Sequence, residues 1–166
     1  MALQIEIIGL QRVIQKCGPQ LIATPLRKFF LRAAITVQNR AREKAPVDTG
    51  RLRSSIAYEV DDGVPPLYAK VGTNVKYAKP MEYGTGLLSE APDSKKTRHY
   101  PPGGALELWA KRHGIGSGEA VARAIGRRGG LRPRRYLRGA LEESVSKIQG
   151  LLNRMGEEIR AGWDGK

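Results

Sequence analysis

A chain of 166 residues with no compositionally distinct half has room for one sizeable core, and 40% hydrophobic against 27% charged residues excludes a disordered polymer. No apolar run approaches the roughly eighteen residues of a membrane span, the start lacks the basic-then-apolar pattern of a secretory signal, and a lone cysteine excludes an intrachain disulfide framework. The formal charge of +13 is uneven: residues 95–138 hold twelve Lys and Arg against two Glu, residues 27–53 hold eight against two acids, and the remainder is slightly acidic. Such blocks favour polyanions or acidic protein surfaces, although many basic stretches are only solvated faces. The protein is expected to stay in the cytoplasm where it is made, with no membrane contact.

Leu3, Ile5 and Ile7 alternate with polar neighbours and predict a short strand, after which Leu10, Val13, Ile14 and Cys17 recur at helical spacing. Gly18 and Pro19 are expected to stop that helix, and Cys17 to be a buried small hydrophobe. Thr24 and Pro25 read as the cap and first residue of the next helix. Its apolar face steps through Leu26, Phe30, Ala33, Val37 and Ala41, its other face carries Arg27, Lys28, Arg32, Arg40 and Arg42, and Pro46 ends it near Lys44.

Past a turn at residues 47–50 the period becomes two, with Ile56, Tyr58 and Val60 predicting an inward-facing alternation, then a turn at 61–63 and a second strand at 67–71. Residues 77–83 read as a further extended or partly helical piece bent at Pro80. A small antiparallel meander results. Residues 84–102 are polar and rich in turn formers, which predicts an exposed loop. Two short helices follow, around 105–113 and from Ser117, the second ended by Gly126, Gly129 and Gly130. From about Pro133 the stripe Leu137, Leu141, Val145, Ile148, Leu152, Met155 and Ile159 predicts a long amphipathic helix. Its first half is expected to join the core; past Gly150, core and intersubunit contact both remain open.

The fold class expected is therefore α+β: a sheet of three to four antiparallel strands packed against a long N-terminal amphipathic helix and a long C-terminal helix. Residues 1–166 are expected to form a single domain with a basic loop and helical insertion at about 85–133.

Catalytic inventories are thin. With two histidines, His99 and His113, and one cysteine, no HExxH, CxxC or Cys/His zinc pattern is possible. The glycines at 114, 116 and 118 lack a P-loop lysine and do not follow a strand. Acidic pairs such as Glu142 with Glu143 are sequence neighbours and point apart, and Ser54 and Ser55 have no histidine nearby. No catalytic, cofactor or metal residues are assigned.

Three ordered strings remain. The first is Ala45, Pro46, Val47, Asp48, Thr49, Gly50, Arg51, Leu52, Arg53, Ser54, Ser55, Ile56, in which Pro46 stops a helix, Asp48 and Thr49 are suited to bonding nearby amides, and Leu52 and Ile56 to entering the core. The second is Tyr77 and Ala78, then Glu82, Tyr83, Gly84 and Thr85, with Pro80 and Met81 at variable positions. The third runs through Tyr100, Pro101 and Pro102, Trp109, and Pro133 to Leu137, where Arg134 and Arg135 separate the proline from Tyr136. Together these resemble the siphophage tail-component or tail-completion family (head-tail joining, minor tail proteins) of lambdoid HK-type phages.

The resemblance implies a structural virion protein of the neck, in the host cytoplasm during assembly. It implies a homo-oligomeric ring, most simply of six subunits, joined to head-closure, tail terminator and tail tube proteins around a channel with non-specific contact to genomic DNA. A tail terminator is the alternative within that class, and an autonomous basic nucleic-acid-binding module the alternative from another class. Lys95, Lys96, Arg98, Arg127, Arg128, Arg132, Arg134, Arg135 and Arg138 are the expected subunit-interface or channel-lining residues.

Overall fold

The computed structural model describes residues 1–17 and 19–164. The expected helix stop at Gly18 and the burial of the Cys17 side chain lie outside what is described.

Strand β1, Ala2–Glu6, pairs antiparallel with β3, Tyr68–Gly72, and β3 pairs on its other side with β2, Ala57–Val60, so the sheet order is β1-β3-β2. The register places Leu3 and Tyr58 beside Val71, and Ile5 and Val60 beside Ala69. Because side chains alternate, these six share the face that meets the helices. Val71 and Ala69 in the central strand are fully buried, while Tyr58 on the edge stays partly exposed. The third strand thus comes from the start of the chain. Residues 77–83 supply no strand; Ala78–Tyr83 is a short helix, α4, which buries Ala78 and Glu82 one turn apart.

Helix α1, Leu10–Cys17, packs on α2, Pro19–Lys44. The start expected at Thr24 is wrong, because Pro25 lies inside α2. An interior proline removes one backbone bond and costs about 3 kcal/mol. Ile22 extends the apolar stripe one turn back from Leu26, and both are fully buried, which offsets that loss. The stripe then continues through Phe29, Phe30, Ala33, Ala34, Val37 and Ala41 to Ala45.

A single turn of helix, α3, Arg51–Ser55, lies between the turn expected at 47–50 and the strand expected from Ile56, where the sequence suggested no helix. Gly50 enters it at φ 79°, a left-handed conformation that glycine adopts freely. Leu52 and Ile56, four apart, are both buried, as one helical face requires. Where α3 gives way to β2, the carbonyl of Ile56 accepts from Gln38 Nε2 at 3.0 Å and from Arg42 Nη2 at 2.8 Å, tying the corner to α2.

Helix α7, Tyr136–Asp164, runs antiparallel to α2. Its Glu143 pairs with Lys44 at 2.5 Å and with Arg40, near the end of α2; its Glu158 pairs with Lys28 at 3.3 Å, and its Gly162 approaches Leu21 near the start. Leu137, Ala140 and Ser144 face the core, whereas Val145, placed on the apolar stripe by sequence, is exposed. A step of 3.6 residues carries the inward face from 140 to 144 rather than 145. Ile148, Leu152, Met155 and Ile159 all pack, partly buried, against the same intrachain core.

Residues 84–102 contain one short 3-10 turn, Gly86–Leu88. Helices α5, Gly103–Arg112, and α6, Gly118–Arg127, then form a hairpin in which Ser117 caps α6 by accepting from the Ala120 amide at 3.2 Å. The hairpin closes on small buried residues, Gly103, Ala110, Gly118 and Ala122.

Candidate functional site: a buried carboxylate clamp and a cationic face

The start of α7 is built by residues far from it in sequence. The first amides of a helix have no partners within it. Glu82, 1% exposed, supplies them: one carboxylate oxygen accepts from the Leu137 amide and the other from the Arg138 amide, each at 2.8 Å. Negative charge at a helix N-terminus is also favoured by the helix dipole. The carbonyls of Met81 and Glu82 accept from the amides of Arg134 at 2.8 Å and Arg135 at 3.1 Å, so α4 and the approach to α7 are laced together.

The lacing continues along residues 84–90. Thr85 Oγ1 accepts from the Leu131 amide at 3.0 Å, the Thr85 amide donates to the Leu131 carbonyl at 3.0 Å, and the Leu87 amide donates to Gly129 at 2.9 Å. A Cβ on Gly130 would sit 2.0 Å from the Thr85 carbonyl oxygen, so only glycine permits this approach. The loop expected to be exposed over 84–102 is therefore anchored over its first part, with Gly84 and Ser89 buried.

Glu90 closes the clamp. Its carboxylate pairs with Arg135 and Arg138, with Arg135 Nε at 2.8 Å, and the Arg135 guanidinium above all holds its pKa down at about 2. Arg135 reaches it from a left-handed backbone, φ 50°. Beneath lies Tyr136, fully buried, with no hydrogen-bond partner for its hydroxyl among the described residues; burial, and then the charge of Glu82, push its pKa well above the ordinary value.

A second contact fastens the α5–α6 hairpin to the body. Arg112 grips both oxygens of Asp48, with Nε at 3.2 Å, and His113 Nε2 lies 4.0 Å from the same carboxylate while its ring stacks on Trp109 at 4.2 Å between centroids. The Arg112 hydrogen bonds hold the Asp48 carboxyl below its usual range. The sequence suggested local amides as the partners of Asp48 and Thr49. The structure gives Asp48 this long-range role and leaves Thr49 exposed.

The remaining motif residues are structural in ordinary ways. Ala45, Leu52, Ile56 and Ala78 are core, Pro46 is half-buried behind the end of α2, Ser55 shares a hydrogen bond with Thr73 at 2.7 Å, and Tyr77 is exposed. The nine candidate cations separate into two groups. Arg135 and Arg138 are consumed by Glu90, and Lys96 bonds the Ser89 carbonyl. Lys95, Arg98, Arg127, Arg128, Arg132 and Arg134 are exposed, with no carboxylate within ion-pair distance among the described residues. Sequence reasoning missed Glu90 and Arg112. Glu90 carried a faint signal as an acid ahead of the densest basic block.

Among the described residues no cluster of His, Cys, Asp and Glu is arranged to hold a metal ion, and no helix is long and apolar enough to cross a membrane. The fold defines a small α+β protein whose long-range carboxylate contacts organise structure. Residues 19–84 match the model of the family described as "Bacteriophage HK97-gp10, putative tail-component". The match spans α2 to α4 and ends at Gly84, so it takes in the first of the three motif strings and all of the second but Thr85. No curated protein and no solved structure matches the chain.

Proposed function

We propose that this protein is a structural subunit of the bacteriophage neck, a tail-completion or head-tail joining protein that assembles as a ring, most simply of six copies, around the DNA channel. The observation that carries the reading is the family match over residues 19–84. Its third motif string extends the resemblance through residues 100–137, and the clamp ties the two regions into one frame.

Surface properties support assembly as the mode of action. Among the described residues both outer strands of the sheet, β1 and β2, present unpaired edges, and unpaired edges invite pairing with another chain. Between α2 and the segment joining β2 to β3, Leu31, Val64 and Pro66 line an open groove of about 310 Å³ with Ala23 and Thr24, and Val64 is 68% exposed. Ring formation needs two different, complementary faces on each copy, and the β1 and β2 edges lie on opposite sides of one sheet. The head-closure, tail terminator and tail tube proteins are the expected neighbours.

Deleting the gene in its phage or prophage tests the reading. Filled heads and separate tails should accumulate, and adding purified protein should restore joining, with the protein found in the virion. Normal virions without it, or a protein that stays monomeric and never joins tails, would overturn the proposal.

A further inference from the structure

We infer that the face where residues 98–100 meet the C-terminal end of α6 binds the sugar-phosphate backbone of nucleic acid without reading its sequence. Two stretches separated in sequence converge there. Arg98 Nη1 donates to the Arg127 carbonyl at 3.3 Å, and a Cβ on Gly126 would lie 2.0 Å from the ring of Tyr100, so that ring rests on the helix backbone while 55% of the residue stays exposed. Arg123 and Arg127 stand one turn apart on the exposed face of α6, Arg128 follows at its end, and Arg132 is exposed just beyond.

The same stretch keeps its acids elsewhere. Glu107 accepts from the Gly118 amide at 2.8 Å, and the Glu119 carboxylate lies where a Cβ on Gly103 would meet it at 2.1 Å. Both carboxylates therefore gather at the opposite end of α6. Among the described residues no carboxylate is within ion-pair distance of Arg98, Arg123, Arg127, Arg128 or Arg132; Arg12, Arg32 and Arg53 are likewise unpaired, and what sets the five apart is that they gather about the end of α6, whereas Arg40, Arg112, Arg135 and Arg138 each have a carboxylate. Complementing the helix dipole accounts for arginines in the last turn. It does not account for Arg123 and Arg132, or for an exposed tyrosine between them.

The chemistry favours a polymer of phosphates. Guanidinium groups are weakly hydrated and match phosphate or carboxylate in a bidentate fork. Tyr100, 55% exposed among these arginines, adds a hydroxyl, an uncharged donor of the kind that protein–DNA contacts place on phosphate oxygens. The inference rests on the neck reading only for bringing DNA within reach.

The test is binding of the full chain to a 30-base-pair duplex of arbitrary sequence across a salt series, with the exposed-face variant R98A/R127A/R128A and a charge-matched control, R12A/R32A/R53A. If five arginines each neutralise one phosphate, affinity falls about 500-fold between 50 and 200 mM salt; with three removed it falls about 12-fold, and the control behaves as the parent. Absence of binding at 50 mM, equal salt slopes for parent and R98A/R127A/R128A, or equal affinity for polyglutamate of matching charge would overturn it, the last pointing to an acidic protein partner. Failure here with tail joining intact removes this face and leaves the neck role standing; loss of the neck role with these slopes observed supports the face on its own.

Discussion

Replacing Glu82 by glutamine keeps the size of the side chain and removes half of what it does. In the parent, two carboxylate oxygens receive two backbone N–H groups at 2.8 Å in a site closed to water. The amide has one oxygen for one of those donors and turns its NH2 group toward the other, so one buried N–H is left unsatisfied beside a second donor. A hydrogen bond to a charged group contributes about 1.5–3 kcal/mol, and an orphaned buried donor costs a similar amount. Loss of the charge–dipole interaction adds up to about 1 kcal/mol. The expected destabilisation is about 3 kcal/mol for Glu82→Gln, and about 4 kcal/mol for Glu82→Ala, which adds a cavity. For a chain of this length, 3 kcal/mol lowers Tm by about 6–12 °C. Urea unfolding measures the energy, and hydrogen exchange at the Leu137 and Arg138 amides locates it. A Glu82→Gln variant within 0.5 kcal/mol of the parent, with both amides still protected, would refute the assignment of Glu82 as the element that starts α7.

Glu90, held at a pKa of about 2 against an ordinary 4.5, contributes stability that is present above about pH 4.5 and is lost as pH falls toward 2; hydrogen exchange over residues 84–90 and 129–138 should quicken across that window, and Glu90→Gln should flatten the dependence. Arg112→Ala should loosen the α5–α6 hairpin alone, seen as faster exchange and proteolysis within residues 103–127 with the main unfolding transition unmoved; cooperative loss of the whole fold would contradict a local fastening. Gly130→Ala, which drives a methyl into the Thr85 carbonyl at φ 144°, should cost about 2 kcal/mol or more in thermal unfolding, whereas Gly104→Ala, where the added atom meets nothing, should be neutral or stabilising.

What the sequence makes legible is periodic. The step from Leu26 to Ala41 and the stripe beginning at Leu137 set the two long helices, because a regular apolar repeat has one helical solution. Short elements are less legible: the Ile56, Tyr58, Val60 alternation marked β2, but α3 just before it spans a single turn, too short for an apolar repeat, and tertiary burial of Leu52 and Ile56 rather than any local pattern sets it. Pro25 misled for the same reason, since a local preference at a helix start was outweighed by burial of Ile22 one turn earlier. The candidate site was half legible. Glu82, Gly84 and Thr85 stood out as a string, yet nothing in sequence says that Glu82 meets Leu137 or that Glu90 takes Arg135 and Arg138 out of the basic block. Contacts that join positions some fifty residues apart are set by topology, and periodicity is blind to them.

Gly84 and Pro133 nearly touch: a Cβ on the first would stand 2.8 Å from the nitrogen of the second. The two runs 84–90 and 129–133 lie against each other, and residues 91–128 are consequently an excursion that departs from and returns to one spot. Such a segment can be lengthened, shortened or exchanged while the doorway stays the same width. The long helices and the sheet therefore do not depend on the length of the segment that the doorway encloses.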